Sequence, residues 1–234
     1  DTFVIGSSTY AIVAAPTSDH VQIIDISDPT NIVAKDSATD DDADEETEFD
    51  ELNGAQDVET FTIGSSTYAI VASNVDNGVQ IIDISDVDTL VAKDSMDDTD
   101  GSLELDGAAD VATFVIDSST YAIVTSIDDD GVQIIDISDV DNLVATDSMD
   151  DTDGSLMLDN ARGVDVFTID SSTYAIVAGY GDDGVQIIEL NTVTASDTST
   201  ADDGGSSTCA RLVILGNCGT IAINNDEYQI IDPW

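Results

Sequence analysis

The chain has 234 residues and a formal net charge of −46, from 50 acidic residues against 4 basic ones. Phosphate binding requires Lys and Arg, so this charge excludes nucleic acid as a direct partner and argues against docking on an anionic membrane. At 41% hydrophobic residues the chain is too apolar for a disordered acidic tail.

The acidic residues are mostly aspartate, with 42 Asp against 8 Glu. Asp favours turns, and a bias of this size also indicates salty surroundings or bound cations, which relieve self-repulsion. No apolar run reaches the ~18 residues of a membrane-spanning helix, so no direct membrane insertion is expected. No signal peptide is found, and the chain opens inside a predicted strand, DTFVIG, as a processed or truncated start would.

Internal repeats decide the predicted fold. The segment TFVIGSSTYAIV recurs in close variants, with its phenylalanine at Phe3, Phe61, Phe114 and Phe167. Downstream, VQIIDIS recurs from Val21, Gly78 and Gly131 and decays to GVQIIEL from Gly184. A worn fifth copy is predicted from RLVILGNCGTIAI and EYQIID.

Each copy reads as four short strands, called a to d here, because Val, Ile, Thr, Tyr and Phe alternate with turns of Gly, Ser, Asp and Asn. In the third copy, strand a is predicted at about 108–116, followed by strand b in TYAIVTS, strand c in VQIIDIS and strand d in LVATDS. No stretch has a sustained helical period.

Strands b and c carry apolar side chains on both faces, so each sheet needs a neighbour on both sides. The prediction is an all-β fold, a β-propeller of four-stranded antiparallel blades, with five blades of which the fifth is degenerate. A flat solenoid is the alternative. One domain, 1–234, is expected, with repeats at about 1–53, 54–106, 107–159, 160–200 and 201–234.

In such a blade the b–c loops and the d–a connections emerge at the same rim. The b–c loops are NVDNG, IDDDG and YGDDG, and the d–a connections are the acidic tracts at 38–53, 96–106 and 149–159. The most acidic segments are therefore predicted to share one face, while SST and SDVDN turns occupy the other.

Clustered carboxylates with turn glycines are the oxygen ligands that Ca²⁺ prefers. The spacing does not match an EF-hand, because Met96 stands where a second ligand would follow Asp94. The hypothesis is weak Ca²⁺ sites of another kind; the alternative is a solvated acidic surface with no ordered ion. The candidate ligands are Asp97, Asp98, Asp100, Asp106, Asp128, Asp129, Asp130, Asp150, Asp151, Asp153, Asp159, Asp182 and Asp183.

The other singled-out residues have structural interpretations. The aspartate that ends strand c is predicted to cap the next turn, and the tyrosine that opens strand b is predicted to pack between blades. His20, the only histidine, lacks partners for a metal or catalytic role. Cys209 and Cys218 either pair in an oxidising compartment or are two small core residues.

A glycan-active enzyme is the alternative function, because paired carboxylates in a propeller channel can hydrolyse glycosides. The innermost strands offer Glu59 and Asp165, with Asp57 and Asp110 nearby. The repeats are near-copies, however, whereas catalytic residues diverge in role, and no Ser–His pair or G-x-S-x-G elbow occurs. The protein is therefore predicted not to be an enzyme.

The motif Y-A-I-V…G-V-Q-I-I-D-I-S-D, followed by LVAKDS, resembles LVIVD-type β-propeller repeats of archaeal and bacterial surface proteins over about residues 1–195. The resemblance implies a propeller displayed outside the cell and supplies no catalytic residue. The longer, acidic d–a connection departs from the minimal repeat.

Together these features predict an extracellular or cell-surface binding or structural module whose acidic face binds Ca²⁺. Self-association, or contact with other surface proteins or glycans, is expected. The last copy ends on strand c, and its unpaired edge invites a strand from another chain.

Overall fold

The computed structural model describes residues 1–40, 49–99, 101–152, 154–195, 209–215, 221–224 and 227–230, with side chains through Asn191. These residues form strands and turns. Among them, no helix is long and apolar enough to cross a membrane.

The first three repeats each form one four-stranded antiparallel sheet with its strands in chain order, so the predicted strand assignment is confirmed. Sheet 1 contains β1–β4, sheet 2 contains β5–β8 and sheet 3 contains β9–β12. Their bounds are β1 Thr2–Ile5, β2 Ser8–Ala15, β3 His20–Asp25, β4 Val33–Thr39, β5 Ala55–Ile63, β6 Ser66–Ser73, β7 Gly78–Asp83, β8 Val91–Asp97, β9 Ala108–Ile116, β10 Ser119–Ser126, β11 Gly131–Asp136 and β12 Val144–Asp150.

The last part of the chain differs from the prediction. Sheet 4 contains β13 Ala161–Ile169, β14 Ser172–Gly179, β15 Gly184–Ala195 and β16 Cys209–Leu215, while β17 Ile221–Asn224 and β18 Glu227–Ile230 pair as a hairpin. The RLVIL segment was predicted to open a fifth blade. It instead pairs with β15 as the outer strand of sheet 4, because the c–d turn of the earlier repeats has decayed and β15 runs on.

Tight turns set the register within each sheet. Two residues join strands a and b in every repeat, as in the pairing of Ile63 with Ser66. The residue before strand c has a left-handed backbone at Asp19, Asn77, Asp130 and Asp183. Asp and Asn tolerate this conformation better than most residues, which explains their recurrence in the b–c loops.

Consecutive sheets pack face to face, and three apolar clusters form the core. The first cluster joins sheets 1 and 2, the second joins sheets 2 and 3, and the third joins sheets 3 and 4. Strands a of neighbouring sheets also contact one another, as β5 does with β9 and β9 with β13. The repeats therefore form an array with strands a along its inner side, which positions equivalent loops of each repeat next to one another.

At the edge that carries the c–d turns, residues of strand d contact the c–d segment of the next sheet. Asp36 and Asp94 each accept a hydrogen bond from a leucine amide in the next repeat, Leu90 at 2.9 Å and Leu143 at 2.7 Å. Lys35 pairs with Asp88, and Lys93 with Asp141, at 3.0 Å. Both aspartates are largely exposed, so these ion pairs contribute little stability.

Candidate functional site

The b–c loops and the d–a connections lie together at one edge, as predicted. We call this the acidic edge: loops 16–19, 74–77, 127–130 and 180–183, with the described connection residues 49–54, 98–99, 101–107, 151–152 and 154–160. Backbone hydrogen bonds join the two sets of segments, from Asp98 to Asn77 and from Asp151 to Asp130, both at 3.0 Å. Negative charge is therefore concentrated there by the topology of the repeat.

In sheets 2, 3 and 4, one aspartate of the b–c loop accepts a hydrogen bond from the d–a connection that precedes strand a of the same sheet. Asp76 accepts a hydrogen bond from the Asn53 amide at 2.7 Å, and Asp129 accepts one from Asp106 at 2.7 Å. In the next repeat Asp182 does the same for Asp159 at 3.0 Å. Backbone amides that would otherwise lack a partner are satisfied by these carboxylates.

The following residue of the loop reaches forward to the next repeat. Asp19 accepts a hydrogen bond from the Gly54 amide at 3.0 Å. Asn77 accepts one from Gly107 at 3.0 Å, and Asp130 accepts one from Asn160 at 2.8 Å. These three bonds tie consecutive sheets together, and they explain why Asp or Asn recurs in a loop that has no metal-ligand spacing.

Replacing Asp130 with alanine should destabilise the protein by about 2 kcal/mol, because it removes the inter-repeat hydrogen bond and places alanine in a left-handed backbone. The melting temperature should fall by about 4–8 °C. Asp130→Asn is the matched control, since Asn77 makes the same bond in the preceding repeat, and it should stay within about 1 °C of the wild type. Equal losses in the two variants would contradict this role.

The remaining predicted ligands shape the connections locally. Asp97 and Asp150 each accept a hydrogen bond from an amide two residues ahead, both at 2.8 Å. Asp98 and Asp151 accept from the leucine amides five residues ahead, at 3.0 and 2.8 Å. The Asp128 amide donates to the Asp106 carbonyl at 3.1 Å. Asp183 has the left-handed backbone of its counterparts, and Asp100 and Asp153 lie outside the described residues.

Glu51 is a residue of the acidic edge that the sequence analysis missed. It is only 8% exposed, and its Oε2 atom is buried without a hydrogen-bond partner. Oε2 and the Met96 carbonyl oxygen lie 2.7 and 2.6 Å from the point where a Cβ on Gly78 would be. Burial raises the pKa of Glu51 to about 8, and the negative charges of Asp76 and Asp97 add to the effect.

The arrangement recurs once and then changes. Glu104 occupies the same place over Gly131, where its Oε2 atom and the Met149 carbonyl oxygen lie 2.9 and 2.8 Å from the corresponding point. Burial raises its pKa to about 7, and the nearby Asp129 and Asp150 contribute. In the following repeat the equivalent residue is Met157, whose sulfur lies over Gly184. Equivalent positions in three consecutive repeats thus carry Glu51, Glu104 and the uncharged Met157.

The carboxylates do not form a closed metal cage. Within the part of the chain that the structure describes, no three or more His, Cys, Asp or Glu side chains are gathered closely enough to hold a metal ion by themselves. A cation at this edge would therefore take much of its coordination from water and backbone oxygens, which is typical of weak sites.

The carboxylates of the inner strands do approach one another. Asp57 accepts a hydrogen bond from the Val111 amide at 3.1 Å, and Asp110 accepts one from Val164 at 2.7 Å. Burial and, to a smaller extent, a hydrogen bond with Asp57 raise the pKa of Asp110 to about 7. A neighbouring carboxylate disfavours ionisation of Asp110, which is why the contact with Asp57 acts in the same direction as burial.

Glu59 lies beside this pair. Burial raises its pKa, and the charges of Asp57 and Asp165 act in the same direction. The inner strands therefore place Glu59 within the electrostatic influence of Asp57 and Asp165, and Asp110 against Asp57. Asp57 and Asp110 are each engaged with the backbone of the next sheet, which gives them a structural task.

Two other sequence predictions, for the strand-c aspartates and the strand-b tyrosines, are confirmed. The aspartates that end strand c cap the following turn, because Asp25, Asp83 and Asp136 accept from the serine amide two residues ahead at 2.9 Å. Tyr10, Tyr68 and Tyr121 of strand b pack in the apolar clusters between sheets. Every strand-b tyrosine also stacks on the strand-a phenylalanine of its own sheet, with ring centroids 5.5–5.6 Å apart. The Nδ1 atom of His20 lies 3.1 Å from the Ser18 carbonyl oxygen.

The chain resembles solved structures in fold but not in sequence. A crystal structure of a protein from Lactobacillus plantarum matches 90% of this chain with a TM-score of 0.53 and 11% identity. The Bombyx mori GH32 β-fructofuranosidase BmSUC1 matches 81% of the chain with a TM-score of 0.47 and 11% identity. No family model matches the chain, and no curated protein matches it in sequence.

The chain has a β-propeller fold. Its blades are four antiparallel four-stranded sheets. Each sheet packs on the next one along the chain, and strand a is the innermost strand of each. The chain spans about half the length of the solved structures that it matches, 53% and 47%. The resemblance to LVIVD-type repeats stays a prediction, because no family model matches.

Proposed function

We propose that this protein is an extracellular or cell-surface structural module, built from LVIVD-like blades, whose acidic edge binds divalent cations such as Ca²⁺. The observation that carries the proposal is the buried, unpartnered Oε2 atom of Glu51 among the carboxylates of Asp76 and Asp97. A buried ionised oxygen without a partner is costly, and a hard cation satisfies it.

The net charge of −46 supports the same function. Adjacent repeats repel each other at the acidic edge, and bound cations reduce this repulsion in the folded state more than in the extended chain. The module is proposed to have no catalytic activity, since the carboxylates of the inner strands and of the acidic edge bond to backbone amides of their own and neighbouring repeats.

Calcium should raise the melting temperature beyond the effect of ionic strength. With dissociation constants of about 10⁻³ M, as in extracellular modules, about 10 mM Ca²⁺ stabilises the folded state by about 1.4 kcal/mol per site. Two sites correspond to a rise of about 6–11 °C. Thermal unfolding in CaCl₂ is compared with unfolding in NaCl of equal ionic strength.

The control variant is the double substitution Glu51→Met and Glu104→Met, which copies the residue that the next repeat already carries at Met157. It should fold and lose the calcium-specific rise. Equal melting temperatures of the wild type in the two salts would overturn the proposed cation binding. A full calcium effect in the double variant would show that the cations bind elsewhere than at Glu51 and Glu104.

A glycan-active enzyme is the second candidate, favoured by the convergence of Asp57, Asp110 and Glu59. Release of reducing sugar from a panel of oligosaccharides, lost on Asp110→Asn substitution, would support it.

A further inference from the structure

Each sheet of the array has two different apolar faces. The forward face packs on the next sheet and in sheet 1 consists of Phe3, Tyr10, Ile12, Val21 and Ile23. The backward face packs on the preceding sheet. In sheet 2 it includes Val58, Ala69, Val71, Ile82 and Ile84. The same pairing of forward and backward faces recurs between sheets 2 and 3 and between sheets 3 and 4.

The forward face of sheet 4 is uncovered. Val185 is 58% exposed, whereas Val21, Val79 and Val132, which occupy the same position in the earlier repeats, are fully buried. Phe167, Tyr174, Ile176 and Ile187 are also only partly buried, although their counterparts in sheet 3 belong to the core. This face has the composition of an interface, and no sheet among the residues with described side chains packs on it.

The backward face of sheet 1 is uncovered as well. Val13 is 45% exposed, and its equivalents Val71, Val124 and Val177 are fully buried. Ile32 is 62% exposed, while its equivalents Leu90 and Leu143 are 9% exposed. Within the part of the chain whose side chains the structure describes, the array therefore leaves one forward face, on sheet 4, and one backward face, on sheet 1, without a partner sheet.

We propose that two copies of this chain associate head to tail, with the forward face of sheet 4 in one copy packed on the backward face of sheet 1 in the other. The repeats are near-copies, so this contact reproduces an interface that the chain already forms three times internally. The proposal rests on the structural role proposed above and names its partner as a second copy of the chain.

Such an interface is heterologous, because the two contacting surfaces differ. Two or more copies then close into a ring if the rotation between copies permits, or continue as a filament if it does not. Repulsion between chains of net charge −46 opposes the contact at low ionic strength. Association should therefore strengthen in about 1 M NaCl, where screening reaches only ~3 Å.

Sedimentation velocity of the 234-residue chain in about 1 M NaCl tests the proposal. The wild type should form dimers or larger species. Val13→Asp and Val185→Asp should each raise the dissociation constant of the contact between copies by about a hundredfold or more. Each substitution places a charge in an apolar interface. Both positions are exposed in the single chain, so both variants should keep the wild-type melting temperature.

Mixing the two variants gives the decisive result. Each variant keeps one intact face, so an equimolar mixture of Val13→Asp and Val185→Asp should form a dimer that grows no further. The matched control is Val115→Asp, which changes a valine that is 62% exposed and lies outside both faces. It should assemble like the wild type.

Three outcomes would overturn the proposal: a monomeric wild type, a mixture that stays monomeric, or a Val185→Asp variant whose only change is a lower melting temperature. The last result would show that a segment of the same chain, such as the β17–β18 hairpin, covers the forward face. A monomer that still responds to Ca²⁺ would leave the proposed cation binding intact.

Discussion

Lowering the pH from about 8 to about 5.5 at about 1 M NaCl is expected to raise the melting temperature by about 6–12 °C. Asp110, Glu51 and Glu104 have their pKa values raised to about 7, 8 and 7 by burial and by neighbouring carboxylates. Between about pH 4 and pH 8 the folded protein therefore binds more protons than the unfolded chain, and stability falls as the pH rises through this window.

The size of the effect follows from the three shifts. One pKa unit corresponds to about 1.4 kcal/mol, but Asp110 and Glu104 are partly exposed, so water and salt screen much of their interaction. About 1 kcal/mol per group gives about 3 kcal/mol in total. High salt suppresses the general repulsion of the acidic surface, so that the buried carboxyls dominate the difference.

The variant Asp110→Asn isolates one contribution. An amide keeps the oxygen that accepts from Val164 and carries no charge beside Asp57. Its melting temperature should rise at pH 8 and stay unchanged at pH 5.5. A wild type that is more stable at pH 8 than at pH 5.5 would show that these carboxyls are not buried as described.

Replacing Gly78 with alanine should destabilise the protein by about 2–3 kcal/mol, a fall of about 4–12 °C in melting temperature. An added Cβ would lie 2.6 Å from the Met96 carbonyl oxygen and 2.7 Å from Glu51 Oε2. The first of these is backbone, so strands β7 and β8 must move apart to accept the methyl group.

Gly184→Ala is the matched control, at the same position two repeats later. There the nearest atom is the sulfur of Met157 at 3.0 Å, the flexible part of a side chain that adapts readily. The loss should stay below about 1 kcal/mol. Chemical denaturation of both variants measures the difference, and similar losses would argue against close packing of Glu51 over Gly78.

Much of the blade architecture could be predicted from the sequence, because near-identical repeats impose one pattern several times. The predicted strand at 108–116 coincides with β9 Ala108–Ile116. The end of the chain was mispredicted because the four apolar residues after Arg211 in RLVIL fit an inner or an outer strand equally well. Decay of the SDVDN turn, which precedes strand d in the earlier repeats, removed the signal that would have placed it.

The position of the acidic edge was predicted, but the hydrogen bonds that its aspartates make were not. Sequence shows that Asp129 and Asp130 recur in a loop; only the structure shows that their oxygens accept hydrogen bonds from the Asp106 and Asn160 amides. Glu51 was missed because a single glutamate among many acids has no distinctive spacing. Aligning the segments ELNG, ELDG and MLDN would have shown that this position carries a carboxylate in two repeats and a thioether in the third.

The most direct test of how the acidic edge is built is amide hydrogen exchange at Gly54, Gly107 and Asn160, read by nuclear magnetic resonance. These amides lie in the connections between consecutive sheets and donate to Asp19, Asn77 and Asp130 of the preceding repeat. All three should exchange slowly, and Asp130→Ala should release Asn160 alone. Fast exchange at all three sites in the wild type would contradict the account that carboxylates gather there to join consecutive blades.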